Sequence, residues 1–149
     1  MQLNIPTPLK TEHEELHAVL VKATKEAGDT GKAARSVAEI LHPHFVKEEE
    51  YALPPLGILS RLSQGEVRPE MKSVLAMTDK LKRDLPQMLE EHRAIVNALE
   101  KLADAARKEG KTEYVNFSRD LTLHAQTEEE VLYPAAILIG EYLRVKLNS

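Results

Sequence analysis

The chain has 149 residues, 42% of them hydrophobic, a formal net charge of −4 and no cysteine. That is material for one compact domain with a real core and not for two. Disulfides, thiolate metal sites and cysteine nucleophiles are excluded, and basic residues scattered among acids leave no stripe for nucleic acid or an anionic membrane. The N-terminal Met1-Gln2-Leu3-Asn4-Ile5-Pro6 lacks the basic-then-apolar order of a signal peptide, and no apolar run is long enough to span a bilayer. The expectation is a soluble cytoplasmic protein with no nucleic-acid or membrane partner; the sequence names no protein partner.

Ala, Leu, Glu and Lys dominate while aromatic residues are few, which predicts helix nearly throughout. The first predicted helix starts at Thr7-Pro8, with proline at the first helical position, and stops near Gly28-Asp29-Thr30-Gly31. A second runs from about Lys32 toward Gln64-Gly65, disturbed by Pro43 and more strongly by Pro54-Pro55. A third begins near Arg68-Pro69 and lasts to Glu109-Gly110. Pro86 lies inside it, so it is either one bent helix or a short helix followed by a longer one starting near Asp84. The fourth starts near Lys111-Thr112 and carries past Pro134 to the C-terminus. Leu16, Leu20 and Ala23, then Ile95, Leu99 and Leu102, recur at three- and four-residue steps. The pattern predicts an all-α, up-down four-helix bundle, an architecture that builds metal sites between facing helices.

Within this frame the chain repeats itself, over about residues 7–56 and 86–136. His44-Phe45-Val46-Lys47-Glu48 recurs eighty residues later as His124-Ala125-Gln126-Thr127-Glu128, each opening a run of three glutamates and each followed by a proline, Pro54 or Pro134. Upstream of each lies another histidine after an acid, Glu12-His13 and Glu91-His92. On a helix, positions i and i+4 share a face one turn apart, so each His-x-x-x-Glu aims a nitrogen and a carboxylate at one place. A single such pair is ordinarily a solvated surface contact. Recurrence of the whole constellation in register, beside Ile40, Leu41, Leu121 and Leu123, marks these faces as core-directed. Isolated buried ions cost several kcal/mol each, and a metal offsets that cost.

Imidazole and carboxylate donors without thiolate admit zinc, iron, manganese or copper, and six ligands are too many for one tetrahedral zinc. Two glutamates, one per repeat, suit the bridging of two ions, for which iron is the usual occupant. Ferritin-like sites instead use four glutamates and two Glu-x-x-His pairs, a spacing present here at Glu14 and His17. A competing motif, His13-Glu14-Glu15-Leu16-His17, matches the H-E-x-x-H zinc-protease signature. No third histidine follows at the expected spacing and no strands are predicted, so that reading is remote. The same spacing allows His13 and His17 to ligate one ion. His42, two residues from His44, is expected on the opposite face as a non-ligand. Tyr51 returns to the metal-facing side, where core packing is expected and a hydrogen bond to a bound ligand is the alternative role; Tyr133 is expected to point elsewhere.

The repeated His…His-x-x-x-Glu pattern resembles the hemerythrin family, specifically the HHE cation-binding domains, over residues 7–141. The resemblance implies a four-helix bundle holding two iron ions, bridged by two carboxylates and a solvent-derived oxo or hydroxo group, with dioxygen bound at an open position on one iron. Carried over by motif, Glu48 and Glu128 bridge, one iron takes His92 and His124, and the other takes His44 with His13, His17 or both. Oxygen-carrying members place their paired histidines on the third helix and use aspartate on the last; here the pair is on the first helix and the last ligand is Glu128, so the halves are exchanged. Aligning His13 with His92 sets His17 opposite Val96, which places the expected vacancy on the iron of His92 and His124, in an apolar pocket beside Val96. The resulting expectation is a di-iron protein that binds, stores or senses dioxygen or a related small ligand. The alternatives are a di-iron enzyme acting on peroxide or nitric oxide, and iron storage or sensing.

Overall fold

The computed structural model describes residues 2–148. All regular structure among them is helical: α1 (Thr7–Thr24), α2 (Gly28–Lys47), a short α3 (Leu59–Ser63), the long α4 (Val74–Lys108), α5 (Thr112–Thr127) and α6 (Tyr133–Leu147). Two π-helical segments, Glu48–Ala52 and Glu128–Leu132, extend α2 and join α5 to α6, and 3-10 turns flank α3. The four helices of the bundle are α1, α2 with its π extension, α4, and α5 continued as α6. Helix α1 packs on α2 and, more loosely, on α5, while α4 packs on α2, α5 and α6. No helix among the described residues is long and apolar enough to cross a membrane.

The boundaries show how tertiary contacts edit local signals. Helix α2 starts at Gly28, four residues before the expected Lys32, because the Glu109 carboxylate accepts from the backbone N–H groups of Asp29 (3.2 Å) and Thr30 (2.8 Å) and so caps it from across the bundle. Gly28 has φ of 74°, and a Cβ there would meet that same carboxylate at 2.3 Å. Pro43 is carried inside α2, and Pro86 inside a single continuous α4, which settles the open choice for the third helix. Pro54-Pro55 does end the second helix.

Two apolar clusters fill the bundle. One gathers Leu16, Leu20, Val37, Leu41, Ile95, Leu99, Leu102 and Leu121, and the other gathers Leu53, Leu56, Met71, Leu81, Met88, Tyr133 and Leu143. Each fully buried leucine contributes roughly 2 kcal/mol of apolar transfer. Along the chain most of the buried histidines and glutamates fall between the residues of one cluster and those of the other: His13 on α1, Glu48 after α2, His92 on α4, His124 on α5 and Glu128 just after it, with His44 at the edge of the first cluster beside Phe45. A polar layer therefore crosses the middle of the bundle. Leu123, expected on the core face, is instead 62% exposed.

Candidate metal centre

The two π segments shape this layer. Each starts at a glutamate, and each is closed by a backbone bond spanning five residues: the Leu53 N–H donates to the Glu48 carbonyl (2.9 Å), and the Tyr133 N–H to the Glu128 carbonyl. Proline six residues after each glutamate cannot donate, and in an α-helix its ring would crowd the carbonyl four residues earlier; the widened turn relieves that crowding. The extra residue returns position i+5 to the face of the glutamate.

Six side chains converge. His13, His44, His92 and His124 are between 1% and 4% exposed, and Glu48 and Glu128 are at 0% and 1%, so the layer is closed to bulk water. Each carboxylate reaches two histidine pairs, one with each oxygen. Glu48 Oε2 lies 3.5 Å from His44 Nε2, and its Oε1 lies 3.6 Å from His13 Nε2. Glu128 Oε1 lies 3.2 Å from His92 Nε2, and its Oε2 lies 3.1 Å from His124 Nε2 and 3.6 Å from His13 Nε2. His44, Glu48, His92 and Glu128 bring one donor atom each within 4.8 Å of one another, as do His13, His124 and Glu128.

The pairing differs from the expected one. His44 is partnered by His92, and His13 by His124, so each pair takes one histidine from each half of the chain. Bundle order decides this: α2 lies beside α4, and α1 beside α5. His17 stays outside. One turn further along α1 it passes the layer and emerges exposed, so the two histidines of the H-E-x-x-H motif do not converge. His42 is exposed, on the face expected of it. Val96 is half-buried in a surface groove of about 430 Å³ shared with His92, Arg93, Asn97, Gln126 and Glu129, a polar rim in place of the expected apolar pocket. Tyr51 is buried, but its hydroxyl donates to Asp84 Oδ2 (3.1 Å), away from the histidines.

Tyr133, expected to point away, is the residue that the sequence reading missed. Its hydroxyl donates to Glu48 Oε2 (2.5 Å) and stands 3.2 Å from both His44 Nε2 and His92 Nε2. Helical counting across an ordinary turn sends it elsewhere; the π turn brings it in. The residue eighty positions earlier is Leu53, also fully buried, so only one half of the chain carries a phenol here.

A ring of outer carboxylates orients the imidazoles. His44 Nδ1 donates to Glu91 (2.7 Å), His92 Nδ1 to Glu129 (2.9 Å) and His124 Nδ1 to Glu12, while Glu49 stands 3.9 Å from His13 Nδ1. A carboxylate accepts, so Nδ1 of His44, His92 and His124 carries a proton and the Nε2 of each is turned inward. These four glutamates adjoin ligand positions in the chain: Glu12 and Glu91 precede His13 and His92, and Glu49 and Glu129 follow Glu48 and Glu128. That register is visible in the sequence and is the signal that would have found them.

One buried acceptor in the layer is left over: Glu48 Oε1 has no hydrogen-bond donor, while His13 Nε2 and His124 Nε2 stand 3.2 Å apart, within reach of one shared proton or of a cation. Protons take up part of the charge in the metal-free chain. Burial, reinforced by the charge of Glu128, pushes the Glu48 carboxyl up to about 7. Burial acts the same way on Glu128, yet bonds from Glu48 and from His124, His13 and His92 hold it well below the usual range. Burial would also lower both His44 and His124, but Glu48 beside the first raises it, and Glu128 and Glu12 beside the second carry it up to about 9. Burial and the charges of Glu48 and Glu128 drive the Tyr133 phenol far up, so it stays protonated until a cation offsets them. Imidazole, carboxylate and phenol donors in two sets that share Glu128, with Glu48 reaching the second set at His13, fit the coordination of transition-metal ions. Comparison with known proteins gives no match: no family model, no curated protein and no solved structure.

Proposed function

We propose that this chain is a hemerythrin-like di-iron protein with two pseudo-twofold-related halves, which binds dioxygen or a related small ligand between its helices. The observation that carries the reading is the pair of buried carboxylates, each touching both histidine pairs, with the Nε2 atoms of all four histidines turned toward them. Glu48 and Glu128 would bridge two irons together with a solvent-derived oxo or hydroxo group. His44, His92 and Tyr133 would complete one ion, and His13 and His124 the other. Bound iron supplies the electrons and the coordination position that a small oxidised or oxidisable ligand requires.

Donor counting sets the ligand's place. Around six-coordinate ions, His44, His92, Tyr133, an oxygen from each carboxylate and a bridging oxygen would fill one ion. His13 and His124 with the two carboxylates and the bridge would leave the other one donor short, and a small ligand would bind there. That would move the open position from the Val96 side, since Tyr133 would supply the ligand that was expected to be missing. A groove of about 630 Å³ between α1 and α5, with Leu16, Val19 and Phe117 among its apolar walls and Glu12, Glu15 and Asp120 among its polar ones, reaches His124 from outside.

Tyr133 also favours a second reading, a di-iron enzyme consuming peroxide or nitric oxide, because an oxidisable phenol in the ligand set offers an electron that a carrier does not need. Metal analysis of natively purified protein tests the shared part: two irons per chain are expected, and one tightly held zinc at full occupancy without iron overturns both readings. Exposing the reduced protein to oxygen separates them. A stable, reversible charge-transfer band supports binding; prompt irreversible oxidation supports turnover.

A further inference from the structure

Four of the six histidines are absorbed by the core layer, and His17 and His42 remain. They are not scattered. The antiparallel register of α1 and α2 is set at two points: the His13 ring stacks on Phe45 with centroids 4.3 Å apart, and Arg35 Nη1 donates to the Thr24 carbonyl (2.9 Å). Moving four residues up α1 from His13 moves about four residues down α2 from Phe45, which brings His17 level with Leu41 and His42. Both imidazoles line one cleft of about 220 Å³ between the two helices, walled by Leu20, Val21, Leu41 and Phe45.

Their surroundings differ from those of the core histidines. No hydrogen bond or ion pair holds His17 or His42 among the described residues, so both rings have free nitrogens. Both histidines are exposed, so binding a cation requires little desolvation of the imidazoles.

We propose that His17 and His42 form a second, peripheral site for a divalent transition-metal ion, clamping α1 to α2 through one imidazole from each, with water completing the shell. Two imidazole nitrogens with water in the remaining positions suit copper(II) first and zinc(II) next in affinity. The site is distinct from the core layer. Phe45 stands between them, lining the cleft with one part of its ring and stacking on His13 with its face.

The test titrates copper(II) chloride into the metal-loaded protein and follows it by electron paramagnetic resonance. One copper per chain is expected, with hyperfine structure from two imidazole nitrogens. His17→Ala and His42→Ala should each weaken it by about tenfold or more, and the double variant should abolish it. Circular dichroism confirms that these surface variants remain folded. Because all four core histidines persist in them, loss of the copper signal cannot come from the core, and the outcome stands apart from what fills it. A double variant that binds copper with unchanged affinity, or a wild-type signal from a single nitrogen, overturns the proposal.

Discussion

Replacing Glu48 with glutamine should move the metal-free and metal-loaded proteins in opposite directions. A carboxyl that titrates near 7 in the folded chain, against an ordinary value of 4.5, opposes folding by roughly 3 kcal/mol once ionised in both states. The sign follows from proton binding. Between pH 4.5 and 7 the folded chain binds the proton more readily than the unfolded one, so this contribution to stability is lost as pH rises through that window. Glutamine is neutral, still accepts from the Tyr133 hydroxyl, and can donate to His13 Nε2, which lies 3.6 Å from the present Oε1. Metal-free Glu48→Gln should therefore be more stable than wild type by about 2 kcal/mol at pH 8, a rise of about 6 °C in Tm, and by less than about 1 kcal/mol at pH 5. With metal the order reverses. The variant loses an anionic oxygen at each histidine pair, so both ions weaken together and the stabilisation that binding confers is lost with them. Thermal melts at the two pH values, with and without chelator, and elemental analysis per chain read both arms. The reasoning is refuted if the metal-free variant is less stable than wild type at pH 8 while the loaded variant keeps two ions.

Tyr133→Phe should keep both ions but remove any phenolate-to-iron absorption band from the visible spectrum. In the metal-free form it should cost about 1 kcal/mol, because Glu48 Oε2 loses its donor. Glu12→Ala and Glu129→Ala, which release the Nδ1 atoms of His124 and His92, should each weaken metal binding by about 10- to 100-fold in competition with a chelator. Glu109→Ala strips the cap from the start of α2 and should lower the urea midpoint of unfolding while leaving the metal content unchanged. Loss of metal from that variant would show that the far end of the bundle is coupled to the polar layer.

The helical class, and the faces presented by His44 with Glu48 and His124 with Glu128, follow from the chain alone, because they depend on spacings within one or two turns. The same holds for Leu16, Leu20, Ile95, Leu99 and Leu102, whose periodicity marks the buried stripe, and for His42, which two residues from His44 must face away. Other features depend on which helix lies beside which. Bundle order joins His44 to His92 and His13 to His124, leaves His17 at the surface beside His42, and seats the Glu109 carboxylate at the start of α2. The position of Tyr133 depends on one more thing, the π turn from Glu128. A single extra residue rotates everything after it by about 100°, and no local preference in Glu-Glu-Glu-Val-Leu announces that widening. It forms because proline follows and because a buried glutamate must stay aimed at its layer while α6 packs on α4. Local geometry thus determined which donors exist and which way they start; only the packed bundle decided which of them meet.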